Sequence, residues 1–159
     1  MDALLKLLKQ NAQESPKNLA KLLDTTEDQV KARIAEFEKN GVILGYQAIL
    51  NEDKLNLRSV NAVIEVKTTP ERGGGFDRIA SRISRFPEVD ALYLMSGAYD
   101  LLVFVNGRDL RDVATFVSEK LATMQGVIST STHFRLKTYK ESGVLMEVRD
   151  EQERLKVSP

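Results

Sequence analysis

The 159-residue chain contains no cysteine and a single histidine, His133. Without cysteine there is no disulfide, no thiolate zinc site, no iron–sulfur cluster and no cysteine nucleophile. One histidine is too few for a multi-histidine metal cage. These absences exclude the common protein metal centres built from thiolates or several imidazoles, and we expect no metal and no cofactor.

The sequence also lacks a long hydrophobic run and an excess of charge of one sign. No apolar stretch approaches the ~18–20 residues that a membrane-spanning helix needs. The N-terminus carries Asp2 and no apolar signal-peptide segment, which predicts a cytoplasmic protein with no membrane partner. Because 23 basic residues balance 23 acidic ones, the net charge does not draw the whole molecule to nucleic acid or anionic lipid.

The pattern of apolar and polar residues divides the chain in two. Residues 1–50 show mainly helical periodicity, whereas residues 59–140 alternate between strand and helix patterns. A polar linker, residues 51–58, joins the two parts. Residues 141–159 form a polar C-terminal tail to which the sequence assigns no role.

Three helices are predicted in the first part from their N-cap residues. Asp2 and Ser15 precede the first two helices, and Pro16 follows Ser15 at the first helical position. Thr26 and Gln29 have the spacing of a capping box at the start of the third helix. The apolar stripes that these helices bury are Leu4, Leu5, Leu8 and Ala12; Leu19, Leu22 and Leu23; and Val30, Ile34 and Phe37.

The second and third helices are separated by a tight turn, which is typical of a helix-turn-helix. Residues 42–50 (VILGYQAIL) are rich in β-branched and aromatic side chains and predict a strand that would add a wing. In such a unit the third helix enters the DNA major groove. The alternative is that its charged side chains only solubilise a three-helix packing unit.

The candidate DNA contacts lie mainly on the third helix. Gln29 can hydrogen-bond an adenine edge, and Lys31 and Arg33 can reach guanine or phosphate. Lys17 and Thr26 complete the set of candidates.

The charge of the first part argues for weak binding by one copy. Residues 1–50 contain seven basic and seven acidic side chains. Glu27 and Asp28, in the first turn of the third helix, favour the helix dipole but repel phosphates. Several copies acting together are therefore needed for a useful DNA affinity.

The second part predicts a ferredoxin-like fold, which makes the chain an α+β protein. The order of elements is βαββαβ, an antiparallel sheet with two helices on one face. The predicted strands cover residues 60–66, 89–96, 99–105 and 128–136, and the predicted helices cover residues 76–83 and 110–121.

One strand indicates that the sheet is covered on both faces. In residues 99–105 (YDLLVFV), Leu102 and Phe104 are apolar as well as the alternate residues Leu101 and Val103. A half-exposed antiparallel strand would alternate between apolar and polar residues. Because two helices cover one face only, we expect a second copy of the chain to cover the other, giving an obligate homodimer. The alternative is that neighbouring residues of the same chain shield this strand.

Several motifs in this order resemble the Lrp/AsnC (leucine-responsive regulatory protein/asparagine-operon regulator) family of transcription factors. The first is the segment from Val30 to Tyr46, VKARIAEFEKNGVILGY. The second is Gly97-Ala-Tyr-Asp100-Leu, which looks like the family's glycine-x-x-aspartate turn. Gly126-Val followed by Ser131-Thr matches the approach to its last strand. The resemblance covers about residues 2–140.

The resemblance implies a DNA-binding regulator of transcription that is not an enzyme. Its dimers form through the effector domain and assemble into tetramers or octamers on double-stranded DNA. A small effector, usually an amino acid, binds where effector domains of neighbouring dimers meet. The candidate effector-binding residues are Ser96, Gly97, Ala98, Tyr99, Asp100 and Ser131.

The proposed chemistry of the turn depends on two of these residues. Gly97 permits a positive φ, so that backbone amides can meet the effector carboxylate, and Asp100 can accept hydrogen bonds from its ammonium group. The simpler alternatives are a plain hairpin turn and an aspartate that bonds the amides of its own turn. We expect Asp100→Ala to fold normally and to lose the effector response.

Three other functions are alternatives to this one. An enzyme is disfavoured because no Walker loop, dinucleotide fingerprint or nucleophile–base spacing is present, and Gly73-Gly-Gly75 is more typical of a loop hinge than of a phosphate loop. An RNA-binding sheet would need stacking aromatic residues where Asp100 and Leu101 stand. An amino-acid sensor without strong operator binding remains open.

Overall fold

The computed structural model describes residues 1–55, 59–70 and 72–146. The chain divides into two compact units, residues 1–49 and a second unit that begins at Leu50. Residues 56–58 of the predicted linker and residues 147–159 of the predicted tail lie outside the described residues. Within the described part, no helix is both long and apolar enough to cross a membrane.

The first unit contains the three predicted helices, and all three predicted caps are confirmed. Helix α1 covers Ala3–Gln10, α2 covers Pro16–Leu22 and α3 covers Glu27–Lys39. The Asp2 carboxylate accepts from backbone amides of α1, and the Ser15 hydroxyl accepts from the Asn18 amide. At α3 the Thr26 and Gln29 side chains satisfy each other's backbone amides, which is the predicted capping box.

The three helices pack around a small apolar core. Its fully buried members are Leu4, Leu8, Leu19, Ala20 and Val30. The predictions that Leu22 and Ala12 are buried are wrong, because Leu22 is 65% exposed and Ala12 is exposed beyond the last residue of α1. The face of α2 that meets the core carries Leu19, Ala20 and Leu23, and Leu22 points away from it.

The strand predicted over residues 42–50 is not formed. The amides of Val42 and Ile43 donate to the Phe37 carbonyl at 2.8 and 3.1 Å, which closes the C-terminus of α3. Beyond this turn the segment pairs with no strand among the described residues, and Leu44 is 93% exposed. The β propensity of such residues yields a strand only where a partner strand supplies ladder hydrogen bonds.

The second unit has the predicted βαββαβ order. The elements are β1 Val60–Thr68, α4 Asp77–Ile83, β2 Val89–Leu94, β3 Leu101–Gly107, α5 Leu110–Thr115 and β4 Val127–Phe134. A π-helical turn, Phe116–Leu121, continues α5. The four strands form one antiparallel sheet in the order β2-β3-β1-β4.

A short hairpin follows where the sequence predicts the start of a tail. Strand β5, Lys140–Glu141, pairs with β6, Val144–Leu145. The two residues between them, Ser142 and Gly143, have φ values of 46° and 91°. A two-residue type I′ hairpin turn requires positive φ at both of these positions. The Asn51 side chain donates to the Met146 carbonyl at 2.9 Å, which joins the residue after this hairpin to the start of the second unit.

The helices cover one face of the four-stranded sheet. Alternate residues of β1 and β3, including Ile64, Val66, Leu101 and Val103, are buried against α4 and α5. The opposite face, which we call the outer face, carries Val63, Glu65, Ala91, Tyr93, Leu102, Phe104, Ser131 and His133. Its residues are half-buried or exposed.

Candidate DNA-binding and effector-binding sites

On α3, Lys31 is paired with an acidic residue of the same helix. Its Nζ lies 2.6 Å from Glu27 Oε1, and both side chains are largely exposed. The hydrogen bond from Lys31 lowers the pKa of Glu27 and raises that of Lys31. The nearby charge of Lys17 lowers the pKa of Glu27 further.

Arg33 is also paired, but with a residue of a different helix. Its Nη2 forms an ion pair with Asp2 Oδ2, and its guanidinium carbon lies 6.0 Å from the centre of the Phe37 ring. The other carboxylate oxygen of Asp2 accepts from the Leu4 amide at 2.9 Å and caps α1. Arg33 thus connects α3 to the first residue before α1.

The amide and hydroxyl candidates are engaged in capping. The Thr26 hydroxyl accepts from the Gln29 amide at 3.3 Å. Gln29 Oε1 accepts from the Thr25 hydroxyl and lies 3.5 Å from the Thr26 amide. The five predicted DNA contacts therefore lie within one unit. Thr26, Gln29, Lys31 and Arg33 make hydrogen bonds or ion pairs there, and Lys17 interacts with Glu27 through its charge.

Asp2 is the residue of this region that the sequence reasoning missed. It was assigned a capping role only. The ion pair joins residues 31 positions apart, and no local pattern signals such a contact.

The candidate effector turn connects β2 to β3. Gly97 has a φ of 144°, and a Cβ added to it would meet nothing within 4 Å, so the turn needs glycine for its backbone angle and not for space. Among the described residues, the amides of residues 96–99 donate to no acceptor. These four amides therefore remain available to an acceptor from outside the chain.

Asp100 is held at the end of this turn by β1. Its Oδ2 accepts from the Thr68 amide at 2.7 Å, and its own amide donates to the Val66 carbonyl at 3.0 Å. Its carbonyl accepts from the Met95 amide at 2.8 Å. The alternative that the Asp100 carboxylate bonds amides of its own turn is wrong, because this carboxylate accepts from an amide of the neighbouring strand β1. Oδ1 accepts no hydrogen bond from the described residues.

Thr68 is the residue of this site that the sequence reasoning missed. It is 4% exposed, and its hydroxyl oxygen is buried without a hydrogen-bond partner among the described atoms. The sequence did contain a signal for this residue: Thr68 follows Ile64 and Val66 at alternate positions of β1, which places a polar side chain on the buried face of the strand.

Ser131 lies apart from the turn. It stands on β4 opposite Glu65, which in turn pairs with Leu102 of β3. Ser131 Oγ and Glu65 Oε1 lie 3.4 and 3.5 Å from the Nε2 atom of His133. The structure therefore groups Ser131 with His133 on the outer face and does not bring it to Asp100 within one chain.

The apolar part of the outer face lies on β2 and β3. The rings of Tyr93 and Phe104 meet edge to face, with centroids 5.8 Å apart. Tyr93 is 54% exposed, and Leu102 and Phe104 are half-buried. No group of three or more metal-ligating side chains occurs within the described residues.

A family model for the Lrp/AsnC ligand-binding domain matches residues 61–145. A curated relative, the uncharacterized HTH-type transcriptional regulator YugG of Bacillus subtilis, is 45% identical over 157 residues, which is 98% of this chain and 95% of the relative. A solved Neisseria meningitidis transcriptional regulator in complex with L-Met covers 89% of this chain and 93% of its own, at 23% identity and a TM-score of 0.69. Escherichia coli AsnC covers 89% and 95%, at 19% identity and a TM-score of 0.66.

Proposed function

Because the chain belongs to the Lrp/AsnC family of transcriptional regulators, we propose that it binds specific sites on double-stranded DNA and that an amino acid modulates this binding. The observation that carries the proposal is the presence, in one chain, of a capped helix-turn-helix and an Lrp/AsnC ligand-binding domain. The function is regulatory rather than catalytic.

Helix α3 is the element that we place in the major groove. The Lys31 ammonium group and the Arg33 guanidinium group are the candidate cations of this helix for phosphate or guanine. Since both are paired with carboxylates, contact with DNA must exchange these carboxylates for phosphates. One unit therefore gains little free energy, and binding by several units of an assembly supplies the rest.

We propose that a second copy covers the outer face. Tyr93, Leu102 and Phe104 form an apolar patch on a sheet whose other face is already covered by helices. Aromatic residues of this kind are enriched at protein interfaces. Such dimers would assemble further into tetramers or octamers.

The turn between β2 and β3 is the proposed effector site. The free amides of residues 96–99 can bind a carboxylate, and Oδ1 of Asp100 remains available for an ammonium group. An α-amino acid carries both groups on one carbon, so its backbone matches this pair. That L-Met is bound to the Neisseria regulator supports an amino acid as the ligand class. Ser131 is part of the site only if a neighbouring copy brings it to the turn.

An amino-acid sensor without strong operator binding is the second candidate function. It is favoured by the equal numbers of acidic and basic residues in positions 1–50 and by the internal pairing of Lys31 and Arg33.

DNA selection combined with amino-acid screening tests the two candidates. Duplexes are selected from a random-sequence library by the full chain, and their affinity is measured by fluorescence anisotropy with each of the twenty amino acids. A consensus site whose affinity changes with one or a few amino acids supports the proposed regulator. Thermal stabilisation by an amino acid without enrichment of any sequence supports the sensor. If no sequence is enriched and no amino acid stabilises the protein, both candidate functions are overturned.

A further inference from the structure

We propose that Asp2 competes with DNA for Arg33 and so limits the DNA affinity of the helix-turn-helix. This inference rests on the proposed DNA-binding function. According to this inference, Asp2, which lies outside α3, reduces the positive charge that Arg33 of α3 offers to DNA.

The two carboxylate oxygens of Asp2 do different work. Oδ1 accepts from the Leu4 amide at 2.9 Å and from the Leu5 amide at 3.4 Å, which caps α1. Oδ2 forms the ion pair with Arg33 on α3. Capping requires an acceptor atom, whereas the ion pair requires a negative charge, so the two roles can be separated by substitution.

The ion pair is accessible to DNA. The side chain of Arg33 is 45% exposed and that of Asp2 is 30% exposed. A phosphate that approaches the guanidinium group meets the carboxylate of Asp2 at the same cation, and the two anions repel each other. DNA binding through Arg33 must therefore break this pair or accept the repulsion.

The Glu27–Lys31 pair also places a carboxylate beside a cation of α3, but it has a second role within that helix. Both partners belong to α3 and are one helical turn apart, a spacing that by itself stabilises helices. Asp2 precedes α1 and reaches Arg33 across 31 positions. Its carboxylate is therefore a fixed counter-charge that another helix brings to α3.

The test uses variants that keep the cap and remove the charge. Asn and Ser cap helices about as well as Asp, so Asp2→Asn and Asp2→Ser should retain α1, as checked by circular dichroism and thermal unfolding. An exposed ion pair shifts an equilibrium by a factor of about 1.4 to 5. We expect each variant to bind the selected duplex more tightly by a factor in this range for each Arg33–phosphate contact.

Arg33→Ala supplies the matched background that separates competition from a general change in net charge. In a double-mutant cycle, Asp2→Asn should tighten binding when Arg33 is present and leave it unchanged when Arg33 is replaced by alanine. An equal gain in both backgrounds would show a general charge effect and overturn the inference. Measurable binding that Asp2→Asn and Asp2→Ser leave unchanged would also overturn it, with the DNA-binding function intact. If no variant selects or binds DNA, the DNA-binding function fails and the inference fails with it.

Discussion

The carboxylate of Asp100 makes a hydrogen bond whose loss should destabilise the second unit. Its Oδ2 accepts from the Thr68 amide at 2.7 Å, at a position where the Thr68 side chain is 4% exposed. Asp100→Ala leaves this amide without its acceptor. An unsatisfied buried donor costs about 1–3 kcal/mol. This replaces the expectation, drawn from the sequence, that Asp100→Ala folds normally.

Urea unfolding followed by circular dichroism measures this cost directly. We expect the free energy of unfolding of Asp100→Ala to fall by about 1–3 kcal/mol, with the slope against urea unchanged. Asp100→Asn keeps an oxygen that can accept from the Thr68 amide. Its free energy of unfolding should therefore fall by less than that of Asp100→Ala. Equal stability of Asp100→Ala and the wild type would refute the view that Asp100 holds β3 against β1.

The comparison of the two variants also separates structure from ligand binding. Asp100→Asn keeps an acceptor for Thr68 but removes the negative charge offered to an ammonium group. We expect Asp100→Asn to reduce the free energy of amino-acid binding by more than it reduces the free energy of unfolding. Calorimetric titration at a temperature where both variants are folded makes this distinction.

Three further perturbations test other parts of the structure. Phe104→Glu places a charge in the apolar part of the outer face and should reduce the assembly to monomers in sedimentation velocity, whereas Ser118→Glu, at an exposed helical position, should not; an unchanged size for Phe104→Glu would contradict the proposed dimer. Thr26→Ala removes the capping box and should lower the stability of the first unit by about 1 kcal/mol in thermal unfolding, while Thr26→Ser should behave like the wild type. The hydrogen bond from Lys120 lowers the pKa of Glu88 below its ordinary value of 4.5, so its stabilisation is complete above that pH and is lost as the pH falls through the lowered pKa. Lys120→Gln should therefore have a lower free energy of unfolding than the wild type at pH 7. Between pH 5 and pH 2 this free energy should fall by less in Lys120→Gln than in the wild type, as urea unfolding of both proteins at these pH values would show.

Features that depend on neighbouring residues were predictable from the sequence. The caps at Asp2, Ser15 and Thr26 follow from a side-chain oxygen two or three residues before a free amide. The βαββαβ order follows from periods of 2 and 3.6 in the apolar residues. The hairpin at residues 140–145 was missed, although the Ser142-Gly143 pair is a turn signal of the same local kind.

Features that depend on distant residues were not predictable in this way. The strand expected over residues 42–50 has suitable side chains but no partner within the described chain. The Arg33–Asp2 and Asp100–Thr68 contacts join residues 31 and 32 positions apart. The sequence predicts that Arg33 binds DNA and that Asp100 binds an effector. Only the folded structure shows that each side chain also bonds another residue of the protein.

The same arrangement constrains how an effector can regulate DNA binding. The free amides of residues 96–99 and Oδ1 of Asp100 are present in a single chain. An effector that contacted only these groups would bind every assembly equally and shift none of them. A tenfold change in DNA affinity requires about 1.4 kcal/mol of differential binding, which is about one hydrogen bond to a charged group. One donor or acceptor that a neighbouring copy adds to the turn is therefore enough to couple the amino acid to the assembly.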